Sequence, residues 1–271
     1  MDDRLSYVYG VLRPDAASPE DAVPPGVRGV EDAPVALVRH GGMAAAVSHV
    51  AKSDFSEAAL KAHLEDLDWL EGVARAHDEV VAALGARTTV LPLRLATVYL
   101  DDSRVRDMLE ERERTLTELL DRLAGQVEWG VKVYADTSPA AARPQAPSGA
   151  PEPPDSGRAY LRQRRQQRHA REDAWSSAAE AVRRVEAQAG SLAVAHARHR
   201  PQQGRLAGGT GENVANDAYL VPRDRAEEFR ERVQGAAEGL DGVRVEVTGP
   251  WVPYSFAQVP HDPAPEEAGQ R

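Results

Sequence analysis

The chain reads as an α+β protein of two domains, an N-terminal mixed α+β domain and a C-terminal ferredoxin-like domain in βαββαβ order. Three observations predict this. Period-two runs such as Leu5–Leu12, Val127–Tyr134 and Val243–Thr248 are interleaved with stretches whose apolar residues recur every three to four positions. The 271 residues, 42% of them hydrophobic, suffice for two ordinary cores. A turn at Gly125 separates a unit that ends in a helix from one that opens with a strand.

The first strand is Leu5–Leu12, with Tyr7 and Tyr9 alternating against Val8, and a Pro/Gly-rich acidic loop follows. Pro34–Arg39 and Met43–Val50 flank His40-Gly41-Gly42 and form a hairpin. A long helix is expected next, opened by a capping box of Asp54 and Glu57 and carrying Leu60, Leu64, Leu67, Leu70, His77, Val80 and Leu84 at helical spacing. Thr88–Tyr99 reads as a strand interrupted by Pro92, which has no ladder donor, and so as an edge or bulge. Asp101-Asp102 open a second helix with Val105, Leu109, Leu116, Leu120 and Leu123 on one face. These elements make domain 1–125.

The second domain is 126–258. Its first strand puts Val127, Trp129, Val131 and Val133 on one face and Glu128, Lys132 and Tyr134 on the other. Residues 137–156 are Pro/Ala/Ser-rich and read as a disordered loop, as does the tail 259–271. A helix runs from Arg158 to Gln188, followed by strands at Leu192–His199 and Ala218–Val221 around a Gly-rich connection. Asp224 and Glu227 form a capping box for a helix lined by Phe229, Val233, Ala236 and Leu240, and the valine strand closes the unit.

Composition excludes several chemistries. With no cysteine there is no disulfide, thiolate metal site or cysteine nucleophile. Neither GxxxxGK[ST] nor a post-strand GxGxxG occurs, and GxSxG is absent. His196 and His199 fall on opposite faces of a strand, and His63 and His77 lie ~21 Å apart along a helix, so neither pair shares an ion. No catalytic, cofactor-binding or metal residue is assigned. No apolar run approaches the ~20 residues that span a bilayer. The N-terminus is acidic and leads straight into a strand, unlike a signal peptide. The expectation is a soluble, cytoplasmic chain. Its net charge of −10 is uneven: residues 1–125 hold 14 Lys and Arg against 23 Asp and Glu. That imbalance argues against a nucleic-acid or anionic-membrane partner.

Six segments remain: YVYGV (7–11), LPLRLATVY (91–99), VEWGVKVY (127–134), GRAYL (157–161), NDAYLV (216–221) and GPWVPYSF (249–256). In this order and spacing they resemble the gas-vesicle accessory proteins of the F/L family (GvpF/GvpL). The family often carries Phe-Gly where this chain has Leu95-Ala96, and the loop at 137–156 is unusually long. The resemblance implies a non-catalytic accessory or minor structural protein of cytoplasmic gas vesicles, without cofactor or small-molecule substrate. Its implied partners are the hydrophobic major shell protein and other gas vesicle accessory proteins. A reading from another class is a ferredoxin-like small-molecule-binding or catalytic protein, which a cleft with converging polar groups would reveal.

Two segments are candidate protein-interaction sites. In the proline-broken segment, Leu91, Leu93 and Leu95 either fill the first core or form an open sheet edge that restrains an aggregation-prone shell subunit. The run 158–171 carries six arginines and no acid, Arg162, Arg164, Arg165 and Arg168 at its centre. A helix this long overhangs its sheet. Its basic half is a solvated end or docks on an acidic surface.

Overall fold

The computed structural model describes residues 3–14, 22–63, 65–136, 157–201 and 211–258. The segments 137–156 and 259–271, expected to be disordered, lie outside the described residues. The chain is a mixed α+β protein whose described strands form two antiparallel sheets. It divides into two compact units, one running to Gln126 and resuming at Trp251, the other spanning Val127–Pro250. The aromatic closing segment, read from sequence as the end of the second domain, is thus built into the first unit.

In the first unit, β1 (Arg4–Leu12) is central. It pairs antiparallel with β3 (Met43–Ala51), which pairs with β2 (Ala36–His40) through a tight turn at Gly41-Gly42. The β1–β3 register shifts between Val8 and Gly10, so Tyr9 is the extra residue of a bulge. Strict alternation there would split the tyrosines from the residues after them. The bulge instead puts Tyr7, Tyr9 and Leu12 in one core with Leu5, Ala46 and Val50. On the other side of β1, β4 (Val90–Pro92) and β5 (Val98–Tyr99) both pair antiparallel with it.

Helices cover both faces of this sheet. The expected long helix from Asp54 is three helices: α1 (Lys52–Phe55), α2 (Glu57–His63) and α3 (Leu67–Gly85). Asp54 caps nothing and accepts from Ser53 Oγ instead. The working N-cap is Asp66, whose carboxylate accepts from Trp69 N at 3.1 Å. A short carboxylate competes with the helix for backbone donors, so the break falls there despite continuous apolar spacing. α3 buries Val73, His77, Val80, Val81 and Leu84 against the tyrosine face. On the opposite face, Ser6 Oγ donates to Asp102 Oδ1 at 2.6 Å. Asp102 opens α4 (Asp102–Glu111), capped by Asp101, which accepts from Ser103 N and Arg104 N. α5 (Glu113–Leu123) follows after Arg112 leaves helical geometry. The expected stripe of Val105, Leu109, Leu116, Leu120 and Leu123 is buried.

The second unit runs β6 (Gln126–Ala135), α6 (Gly157–Gly190), β7 (Ala195–His199), β8 (Glu212–Pro222), α7 (Ala226–Gln234) and β9 (Val243–Trp251), in sheet order β7-β8-β6-β9. Val127, Trp129, Val131 and Val133 pack against Ala174, Ala178, Ala181 and Val185 of α6 and Phe229 and Val233 of α7. β8 starts six residues earlier than expected. Its Glu-Asn-Val-Ala-Asn-Asp opening has no clean alternation to reveal it. The Asp224/Glu227 capping box does not form: a 3₁₀ turn at Arg223–Arg225 precedes α7, whose N-cap, Arg225, makes no side-chain cap. Gly249 sits at φ 137°, and a Cβ there would meet Glu128 O at 2.8 Å, so only glycine fits beside Trp129.

Candidate protein-interaction site

The β4–β5 segment is the edge of the first sheet, and its shape follows from three residues. Pro92 ends β4 opposite Gly10, where a Cβ would meet Leu91 O at 2.8 Å, so the close pairing requires glycine. Leu93 N donates to Tyr9 O at 2.9 Å, and the ladder resumes with Val8 N donating to Thr97 O at 2.8 Å. Between them the chain turns outward, closed by Thr97 N and Thr97 Oγ1 donating to Arg94 O at 3.2 and 2.7 Å. Ala96 sits in the left-handed region at φ 59°, a conformation that costs a residue with a Cβ roughly 1 kcal/mol.

A buried polar group anchors this turn. Ala96 N donates to Tyr7 Oη at 3.2 Å, leaving the tyrosine's own proton for His77 Nδ1 at 2.9 Å. Burial pushes the Tyr7 phenol up and, against a smaller opposing effect of the Leu93 backbone, holds His77 down to about 4. The imidazole is therefore neutral at physiological pH. Tyr9 fixes the neighbouring loop by accepting from Val30 N at 2.8 Å. Tyr7, Tyr9, Phe55 and His77 lie ring to ring at 4.9–5.7 Å.

The closing segment completes this cluster. The Tyr254 ring is 6.4 Å from that of His77, and burial raises its phenol, with Asp78 and Tyr7 adding to the effect. Val252 lies against Gly85, where a Cβ would come within 2.4 Å of Val252 Cγ2. Phe256 and Ala257 are buried and Trp251 is exposed.

The three candidate leucines separate. Leu91 is fully buried, paired opposite Val11, and belongs to the core rather than to any surface. Leu93 is half-buried, and Leu95, at the tip of the turn, is 41% exposed. The segment therefore presents an apolar knob, with no unbroken ladder for a strand to join. Arg162, Arg164, Arg165 and Arg168 are exposed on the first half of α6, and Arg168 pairs with Glu172 at 2.9 Å. Leucines and arginines sit in different units and are treated as separate sites.

Sequence reasoning missed two features. Leu67 is 76% exposed beside an open notch of about 520 Å³ lined by Ala62, Glu65, Asp66 and Asp68. In the second unit His196 stacks on Tyr219 with ring centroids 4.5 Å apart and lies 3.3 Å from the buried Asp217. The spacing of Asp217 and Tyr219 on one strand face was the only signal for that group. Among the described residues, no three His, Cys, Asp or Glu converge to hold a metal, and no helix is long and apolar enough to cross a membrane.

Known proteins match this chain along nearly its whole length. A family model described as gas vesicle synthesis protein GvpL/GvpF matches residues 5–258. The chain is 48% identical over 271 residues to gas vesicle protein L of Streptomyces sp. (strain CB03234), covering 99% of each. It is 30% identical over 258 residues to gas vesicle protein F of the same strain, covering 93% of this chain and 99% of that one. In fold it is similar to the crystal structures of the gas vesicle protein GvpF from Anabaena sp. PCC7120 (TM-score 0.65, 19% identity, 96% of this chain and 99% of that one) and from Microcystis aeruginosa (TM-score 0.63, 20% identity, 94% and 99%).

Proposed function

This chain belongs to the gas vesicle synthesis protein GvpL/GvpF family, and from that premise we propose that it acts in vesicle assembly by binding, without catalysis, the hydrophobic major shell protein and other accessory proteins. The observation that carries the reading is Leu95, an exposed apolar side chain on a turn held from beneath by Tyr7. A flexible loop would lose conformational entropy on binding, whereas a turn already ordered by a buried hydrogen bond loses little. A strand-rich, half-apolar shell subunit would offer the complementary surface. The interruption of the edge at Pro92 and Ala96 keeps this protein from polymerising through the same edge.

We read the two compact units as domains and the second as ferredoxin-like. Its βαββαβ element order, with the first strand between the third and the fourth, supports that reading. The action is placed in the cytoplasm, at the growing vesicle.

Co-purification of the shell protein with wild type and with Leu95→Asp tests the proposal. The expected result is capture by wild type and loss of capture by the variant with an unchanged melting temperature. Capture that survives the substitution would remove Leu95 from the contact, and a wild type that never captures the shell protein would overturn the function.

A further inference from the structure

The first half of α6 projects from its unit. Burial along the helix begins at Ala174 and recurs at Ala178, Ala181, Val185 and Ala189, whereas the described side chains from Leu161 to His169 are exposed. The stretch ahead of Ala174 is about 25 Å long at 1.5 Å per residue. It lacks an apolar stripe, so packing contributes little to holding it helical.

Its charge also opposes the helix. Residues 158–171 carry six arginines and no acid, and no acidic residue occupies the first turn. The N-terminal end of a helix is its positive pole, where anions stabilise and cations do not. At the base, Arg168 pairs with Glu172 and Arg171 reaches Glu212 at 3.5 Å. An anionic surface laid along the arm would relieve both the mutual repulsion and the conflict with the dipole.

The chain itself carries such a surface. Residues 1–125 hold an excess of nine acidic residues. Exposed Glu65, Asp66 and Asp68 surround the notch at the α2–α3 corner, from which Leu67 protrudes. On the arm, Leu161 is 57% exposed beside Arg162, Arg164 and Arg165. We infer that this protein self-associates, the arginine arm of one copy docking on the acidic α2–α3 corner of a second, with Leu161 against Leu67. A nucleic acid is the weaker match for the arm, because a molecule of net charge −10 repels a polyanion.

Sedimentation velocity of the full chain over a concentration series is the test. Association is expected at about 50 mM salt and is weakened about tenfold at about 300 mM, as screening of exposed charges requires. Two charge-reversed forms, one carrying R162E, R164E, R165E and R168E and the other Glu65→Arg with Asp68→Arg, should each sediment as monomers. Four exposed ion contacts amount to a loss of about a hundredfold. Circular dichroism establishes that both fold, and mixing them restores association, since each form then retains a complementary charge. A wild type that stays monomeric, an arm-reversed form that associates like wild type, or a mixture that fails to associate would each overturn the inference. So would arm-dependent capture of an RNA oligonucleotide by a chain that remains monomeric. No gas vesicle protein takes part in these measurements, so this inference and the proposed function fail separately.

Discussion

Acidification should destabilise the first unit through one side chain, His77. The ring is 3% exposed, hydrogen-bonded to Tyr7 and surrounded by Tyr9, Phe55 and Tyr254, with burial holding its pKa at about 4 against an ordinary 6.5. As pH falls below 6.5 the unfolded chain takes up a proton that the folded chain refuses. Stability that is complete above 6.5 is therefore lost until about 4, where the folded form protonates too. With those two values, linkage between pH 7 and pH 5 amounts to about 2 kcal/mol, each unit of separation being worth about 1.4. Urea unfolding at pH 7, 6 and 5 measures it, with His77→Gln as the reference, because the amide reaches Tyr7 but does not titrate. Carboxylates titrate equally in both proteins, so the difference between their pH slopes isolates the histidine. Parallel slopes for wild type and H77Q would refute the reasoning, since they would mean that His77 titrates alike in the folded and unfolded chains.

Other substitutions separate core from surface. Leu91→Ala should cost about 2–4 kcal/mol in denaturant unfolding, because a fully buried side chain is removed, whereas Leu95→Ala should stay within about 0.5 kcal/mol. Asp66→Ala should lower stability by about 1 kcal/mol through loss of the α3 cap, and Asp54→Ala should be near neutral; equal effects would mean that the helix starts elsewhere. Gly249→Ala should destabilise by about 1–3 kcal/mol, since a Cβ there meets the Glu128 carbonyl at a left-handed φ; a wild-type melting curve would reject that geometry.

Patterns confined to one element are legible in the residue order. The stripe from Val105 to Leu123 and the alternation from Val127 to Val133 are both buried as their periods require. The edge position of the proline-broken segment follows from the missing donor of Pro92. Helix starts are less legible, because Asp54, Asp66 and Asp224 all have capping chemistry and only the fold selects among them. The leucines cannot be sorted by sequence either. Leu91, Leu93 and Leu95 share the apparent period of one strand, yet the turn at Ala96 carries the last of them out to solvent. The arginine arm is visible as composition, whereas the lack of packing beneath it shows only in the burial pattern of α6.

By itself, then, the order of residues determined the strands and helices, the character of each face, the overhang of a basic helix and the family resemblance, since all of these are local periodicities or short ordered motifs. Tertiary structure alone decided where the closing aromatic segment goes. Gly249 to Phe256 follows a strand of the second unit, but Val252 and Tyr254 dock on Gly85 and His77 of the first. The choice depends on a gap left by a missing side chain and on a ring about 170 positions away, and no window of neighbouring residues contains either.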